Sequence, residues 1–364
     1  MLQFLVRRHN RHGIEHLLRK WAGGVAERVR LVPYEELHRI SGFSPGVLVF
    51  LDLDLLDAQQ REIASRIATA IEPHRDRLRI LNDPRRVALR LELLTRLHDA
   101  GVNEFRSLPA EGDRPELRFP VFLRQRDRHS GALTPLLEDW PEVERALLAK
   151  RLLGYSPTDL LIIEYCDARE EDGIFHKYSA LCIEGRVLPR YRNSGFHWHV
   201  KTGYTSLDEI VREREYVRSN PHAEWIRGIF DLGSIDYGRV DYGLVDGRPQ
   251  AWEVNLNPSF GRRWWQRGSG FLSGEWRRQK EDAKQHFFGA LVSQLDQLSR
   301  EVGESDDIIP LGIDRRSLRA LRAGYGVAAR DLFHRLLAAK MQPFASVGRV
   351  LGASADRAAG WWIG

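Results

Sequence analysis

The sequence predicts an α/β fold that opens with a small doubly wound lobe and turns α+β further along the chain. Three observations predict it. Residues 1–80 alternate short apolar runs with stretches of helical spacing, the pattern of layered strands and helices. Residues 234–260, SIDYGRVDYGLVDGRPQAWEVNLNPSF, hold two alternating runs about a polar turn, the pattern of a hairpin. Residues 315–352 place leucines and alanines at amphipathic spacing, which predicts a helical tail packed on the core or on a second copy in a homodimer.

Composition bounds the function classes. At 364 residues the chain is long enough for two or three lobes with cores of their own. A hydrophobic fraction of 43% beside a charged fraction of 29% is ordinary for a soluble globular protein, so neither disorder nor a membrane protein is expected. No apolar run approaches the roughly 20 residues that span a bilayer, and the first apolar run, LQFLV, is too short for a signal peptide. Cys166 and Cys182 are the only cysteines, which excludes a disulfide framework and a cysteine metal cluster and makes the cytoplasm the expected location. Lys and Arg number 55 against 50 acidic residues, a net charge of +5 that is mostly arginine and forms no dense basic run. That distribution argues against nucleic acid as a partner and suits anionic small molecules.

In chain order, residues 2–6 form a short strand, and 13–28 a helix through Ile14, Leu17, Leu18, Trp21 and Val25. Strands follow at 29–32 and 46–53; the second, GVLVFLDL, is apolar enough for the middle of a parallel sheet. Asp52 and Asp54 near its end can meet a ligand or cap the next helix, and capping is the preferred reading. A helix at 58–71 and a strand at 78–81 complete the lobe. Asn82-Asp83-Pro84 then opens a helix over 85–100, with Val87, Leu91, Leu94 and Leu97 inward and Arg85, Arg86 and Arg90 on other faces. The strand 119–124, FPVFLR, ends in a cation and leads into the polar loop 125–131, QRDRHSG, an order expected of a flap over phosphates. A helix at 141–153 precedes the strand 159–166, DLLIIEYC, which ends in a carboxylate and is followed by Asp167, Glu170, Glu171 and Asp172.

Residues 174–183 and 186–192 read as a hairpin about Glu184-Gly185, and 193–204, NSGFHWHVKTGY, is dense in histidine, aromatic and basic groups. His197 and His199 alternate as a metal pair would. With no third ligand fixed nearby, substrate contact or aromatic packing is the stronger reading than zinc. Helices are expected at 207–217, 223–232 and 280–298, the last with Phe287, Phe288, Leu291 and Leu295 on one side. Residues 261–265, GRRWW, form a basic aromatic loop, and 301–307 a linker.

The 234–260 hairpin carries the chemistry. Its turn falls at 246–249, so Asp241 lies on the first strand and Glu253 and Asn255 on the second. Glu253 and Asn255 are two apart in an extended run and leave the same face, which Asp241 reaches from the partner strand. Three oxygen donors on one face suit Mg²⁺, which takes a carboxylate or two and completes its octahedron with water and phosphate oxygens. Asp236 is read as supporting the start of the first strand.

From 82 to 260 the order of these parts resembles the ATP-grasp superfamily, which includes D-alanine–D-alanine ligase, glutathione synthetase and the RimK-type ligases. The resemblance implies an ATP-grasp fold with a Rossmann-like pre-ATP-grasp lobe at 1–82, a small lobe with a phosphate loop at 83–166, a catalytic lobe with the metal hairpin at 167–300, and a helical extension at 301–364. It implies ATP and two Mg²⁺ ions, the ions held by Asp241, Glu253 and Asn255. Arg90 and Arg124 stand where the family has two lysines on the nucleotide phosphates, and the loop with His129, Ser130 and Gly131 closes over them. Glu164, Tyr165 and Cys166 form the adenine hinge, and Glu171 meets the ribose. Arg239, with Arg124, offsets charge on the transferred phosphoryl group. Arg192, His197, His199, Lys201, Arg262 and Arg263 meet the substrates.

The implied reaction joins a small-molecule or peptide carboxylate to an amine through an acyl phosphate. The same fold also serves kinases and nucleotide sensors. Arginine in place of both lysines keeps the charge and favours bidentate phosphate contact, while the loop is poorer in glycine than the family's.

Overall fold

The computed structural model describes residues 1–200, 206–260, 274–301 and 307–321. Lys201, Arg262, Arg263 and most of the expected helical tail lie outside the described residues. The chain divides into two compact units, one made of Met1–Asn103 with Asp167–Arg322, the other built on Glu104–Cys166.

In the first unit, β1 (Leu2–Val6), β2 (Val29–Pro33), β4 (Gly46–Phe50) and β5 (Leu78–Leu81) form a four-stranded sheet in the order β2-β1-β4-β5. All three pairings are parallel. Every residue of β1 and of β4 is buried, as continuous apolar runs in a parallel sheet require. The helices α1 (His12–Trp21) and α2 (Ala58–Ile71) belong to this layer. The helix expected over 13–28 stops at Trp21, because Gly23 takes a left-handed conformation (φ 50°) and the chain continues as a 3₁₀ turn over Gly23–Arg28. A short ladder of β3 (Gly42–Phe43) with β13 (Ile309–Pro310) joins late sequence to this lobe.

Asn82 ties the parallel sheet to the rest of the unit. In a left-handed conformation (φ 55°), its side chain donates to the carbonyls of Phe50 and Tyr237 and accepts from the amides of Asp236 and Tyr237. Asp236 returns the contact by accepting from the Asn82 amide at 2.8 Å. The helix expected from residue 85 begins later, as α3 (Arg90–Asp99). Residues 83–87 close a turn on Asp83 instead, and the Ala88 amide leaves the helical pattern to bond Gly233.

The second sheet of this unit is antiparallel, in the order β10-β9-β11-β12: β9 (Phe175–Ile183), β10 (Arg186–Gly195), β11 (Tyr237–Val245) and β12 (Arg248–Asn255). The β11–β12 turn is tighter than expected. Asp246 and Gly247 alone make it, both at positive φ (49° and 75°), so Arg248 and Pro249 belong to the strand. Pro249 is tolerated because β12 is an edge strand. The helices α5 (Leu207–Ser219), α6 (Ala223–Gly233) and α7 (Gly274–Arg300) complete the unit, with α7 burying Phe287, Phe288, Leu291 and Leu295. The short helix α8 (Arg315–Ala320) ends the described chain.

The second unit holds β6 (Ser107–Pro109), β7 (Val121–Gln125) and β8 (Leu160–Glu164) in the antiparallel order β6-β8-β7, with α4 (Trp140–Leu152). Its core gathers Val121, Leu123, Leu137, Val143 and Ile162. Cys166, at the end of this unit, is half-buried; Cys182 on β9 is fully buried, and burial pushes its thiol up to about 12. Among the described residues no helix is long and apolar enough to cross a membrane.

Candidate functional site

The β11–β12 ladder sets the geometry. Asp241 pairs in register with Glu253, and Arg239 with Asn255. The register then slips between Asp241 and Tyr242, so Trp252 is an extra residue on β12. A bulge beside a site re-aims the side chains next to it; here it follows directly on the Asp241–Glu253 pair. Across the other edge of β11, Asp241 pairs with Ser179 of β9, whose hydroxyl donates to Asp241 Oδ1 at 2.8 Å.

Two carboxylates opposed on neighbouring strands repel, and cations surround them. Arg239 donates to both oxygens of Asp241, at 2.9 and 3.2 Å, and Lys177 Nζ lies 3.6 Å from Oδ2. Arg90, expected to face away from the buried side, is buried and donates to Glu253 Oε2 at 2.8 Å. Burial would raise the Asp241 pKa, but Arg239 and Lys177 outweigh burial and Glu253 and hold it below the ordinary carboxylate value. Burial works against the charge on Lys177 and Arg239 too, and the Asp241 carboxylate reverses it, raising both. Lys177 and Ser179 escaped the sequence reading. Their i, i+2 spacing on a strand paired with β11 is the signal that could have found them.

The donor set fits Mg²⁺: two carboxylates and a carboxamide, all hard oxygen ligands, stand on one face of two paired strands. The flanking Arg90, Arg239 and Lys177 give that face an excess of positive charge, suited to a polyanion.

The loop after β12 is pinned from below. The Asn257 amide donates to Asn255 Oδ1 at 2.9 Å. Arg190, buried on β10, donates to the Ser259 carbonyl at 2.7 Å and packs against the rings of Tyr191, Phe260 and Phe287. Burial lowers its pKa to about 10. Contrary to the preferred reading of its sequence position, Asp52 does not cap α2; Asp57 does, in a capping box with Gln60. A carboxylate at the end of β4 is too far ahead of the helix to reach its first amides. Asp52 instead accepts from the Arg7 amide at 2.7 Å, Asn10 Nδ2 at 2.9 Å and Asn257 Nδ2 at 3.0 Å, and burial raises its pKa to about 6 against those bonds.

The opposite face of the sheet takes Arg192. Its guanidinium donates to Glu209 on α5 at 2.5 Å and to the Tyr178 hydroxyl at 3.2 Å. Glu209 also accepts from Ser194, which bonds His176 Nδ1 at 2.9 Å, and His176 Nε2 meets Asp172 at 3.0 Å. Arg192 is thus part of a buried polar network that sequence alone did not show. His197 is exposed, and its Nδ1 accepts from the His199 amide at 3.2 Å. Glu171 is exposed, and the neighbouring Glu170 accepts from the Tyr178 hydroxyl at 3.0 Å.

In the second unit, Arg124 lies on β7 opposite Leu161 of β8 and is buried. His129 and Ser130 are exposed, Ser130 donating to Gln125 Oε1 at 3.1 Å, and Gly131 takes a φ of 83°. Glu164 is buried and engaged by its own unit. Its carboxylate accepts from the Arg106 amide and guanidinium and from the Arg118 amide. These bonds overcome burial and lower its pKa. The Tyr165 amide bonds the Pro120 carbonyl, and Cys166 follows it.

No family model matches the chain, and no curated protein matches it. In structure it is similar to D-alanine–D-alanine ligase from Bacillus anthracis, at 12% identity and a TM-score of 0.47 over 83% of this chain and 100% of that one. It is also similar to the ATP-grasp ligase PsnB complexed with minimal precursor, Mg and ADP, at 13% identity and a TM-score of 0.44 over 82% and 98%. For an L-amino acid ligase from Bacillus licheniformis the values are 15% identity and 0.42, over 70% and 68%.

Proposed function

We propose that the β11–β12 face is a Mg²⁺–ATP site and that the chain is an ATP-dependent carboxylate–amine ligase. One observation carries the metal and nucleotide part: Asp241 faces Glu253 in register, with Arg239, Lys177 and Arg90 against the pair. Such a face suits a divalent cation together with the phosphates it accompanies. Asp241, Glu253 and Asn255 would hold Mg²⁺, which neutralises phosphate charge when bound. The ligase part rests on the ATP-grasp resemblance of the chain's order of parts.

In the proposed reaction, a substrate carboxylate oxygen attacks the γ-phosphorus of ATP and the bond to ADP breaks. An amine nitrogen then attacks the acyl carbon, the bond to phosphate breaks and the nitrogen gives up its proton. Arg239 would offset negative charge on the group in transfer, held in place by its two bonds to Asp241. Ser179 and Lys177 keep Asp241 ionised and oriented. Arg124 and the loop at 125–131 are assigned to the nucleotide phosphates by the resemblance, and Arg90, Glu164, Tyr165, Cys166 and Glu171 to the nucleotide. His197, His199, Lys201, Arg192, Arg262 and Arg263 are assigned to the substrates on the same ground. Of these, Arg192 is already engaged by Glu209.

The test is turnover with a panel of carboxylates and amines, following ADP, free phosphate and amide together. Equal amounts of all three support ligation. Phosphate retained on an acceptor would replace ligation with kinase chemistry. Glu253→Ala should abolish Mg²⁺-dependent turnover with the fold intact by circular dichroism; unchanged activity would sink the metal site.

A further inference from the structure

The parallel sheet reverses its winding between β1 and β4, and the chain leaving each strand there meets the loop that follows the proposed metal ligands. Asp52 sits at this point. It is 1% exposed and left-handed (φ 55°, ψ 20°), a conformation that aspartate adopts more readily than most residues but still at some cost. Its three bonds come from two places distant in sequence: the turn after β1, through the Arg7 amide and the Asn10 side chain, and the loop after β12, through Asn257 Nδ2. Asn257 is held a second time, by the Asn10 carbonyl at 3.5 Å. The same residue's amide donates to Asn255 Oδ1. The approach is close, because a Cβ on Gly13 of α1 would stand 3.2 Å from Ser259 Cα.

From this chain of contacts we infer that Asp52 is a positioning residue for the metal site, acting through Asn257 to aim the Asn255 carboxamide. Asn255 Oδ1 has two lone pairs. The Asn257 amide takes one, which leaves the other directed and free for a cation. Asp52 bonds Arg7, Asn10 and Asn257, and none of these is a proposed metal ligand. It fixes the side chain of the residue whose backbone orients the ligand, as outer partners of metal sites do. A strained residue far from the chemistry in sequence, yet bonded both to the turn after β1 and to the loop after β12, is explained by that task. The inference rests on the reading of Asp241, Glu253 and Asn255 as metal ligands.

The experiment is a Mn²⁺ titration of the full chain, followed by electron paramagnetic resonance, on wild type, Asp52→Gly, Asn257→Ala, the double variant and Glu253→Ala. Glycine at 52 keeps the left-handed backbone without strain and removes only the carboxylate. Each single variant should weaken Mn²⁺ binding by about 10-fold or more. The double variant should be no weaker than Asp52→Gly alone, since both act on one path. Asn257→Ala keeps two of the three bonds to Asp52, so it reports even if Asp52→Gly folds poorly. A merely structural role would lower the melting temperature and leave the metal affinity of folded protein unchanged. If Glu253→Ala loses Mn²⁺ while Asp52→Gly and Asn257→Ala bind within about twofold of wild type, the positioning role falls and the metal site stands. If wild type binds no Mn²⁺, both fall.

Discussion

Asp241 and Glu253 stand opposite one another across the β11–β12 ladder, and Lys177 reaches the pair from a third strand, 3.6 Å from Asp241 Oδ2. Like charges in a cross-strand pair destabilise a sheet, so the neighbouring cations do more than decorate the site. Lys177→Met should lower stability by about 1–2 kcal/mol, because a buried carboxylate loses one of its two cations. Turnover should fall about 10-fold or more. Urea unfolding and initial rates measure the two effects. A variant as stable and as fast as wild type would show that Arg239 alone suffices.

Glu213 on α5, 3% exposed, pairs with Lys280 on α7. Burial raises the Glu213 pKa, and Lys280 works against that rise. Lys280→Met strands a buried carboxylate and should cost about 3 kcal/mol. Replacing both, Glu213→Leu with Lys280→Met, should recover most of that loss, because a well-packed apolar pair is no worse than a buried ion pair. Additive losses in the double variant would refute this account.

A pH effect is expected at the outer side of the same helix pair. Asp282 accepts from Arg214 at 2.6 Å and Arg218 at 2.8 Å, and those bonds lower its pKa to about 2. The folded value lies below the unfolded one, so the contribution is fully present above the unfolded pKa of about 4 and is lost as pH falls toward 2. The group is partly exposed, which limits the effect to about 1 kcal/mol or less. Asp282→Asn should therefore melt lower than wild type at pH 7, with the gap closing below pH about 3. A gap that persists at pH about 2 would place its cause elsewhere.

At the bulge, a Cβ on Gly243 would fall 2.4 Å from the Trp252 ring and 3.2 Å from Ala168 Cβ. Trp252 is the extra residue of β12, next to Glu253, and its ring must shift to admit the methyl. Gly243→Ala should cost about 1–3 kcal/mol and reduce turnover as well. Normal turnover in a destabilised variant would separate the bulge from the site.

What was legible in the sequence divides along physical lines. Strand and helix periodicity placed β1, α2 and β5 at their observed bounds, and the alternation about Asp246-Gly247 located the hairpin with Asp241 and Glu253 on facing strands. The bulge was not legible, because one added residue leaves the alternation of each strand nearly intact. Arg192 shows a second limit: arginine looks the same in sequence whether it meets solvent, a ligand or Glu209. Asp52 shows a third, since a carboxylate after a strand resembles a cap until Asn257, two hundred and five positions away, comes into contact. Long-range partners decide such cases.

The two cysteines have a practical consequence. A thiol reacts as its thiolate, and enclosure on β9 disfavours that form at Cys182. Cys166 is half-buried and sits where the first and second units meet in sequence. A thiol-reactive fluorophore or spin label is therefore expected to attach at Cys166 in preference to Cys182.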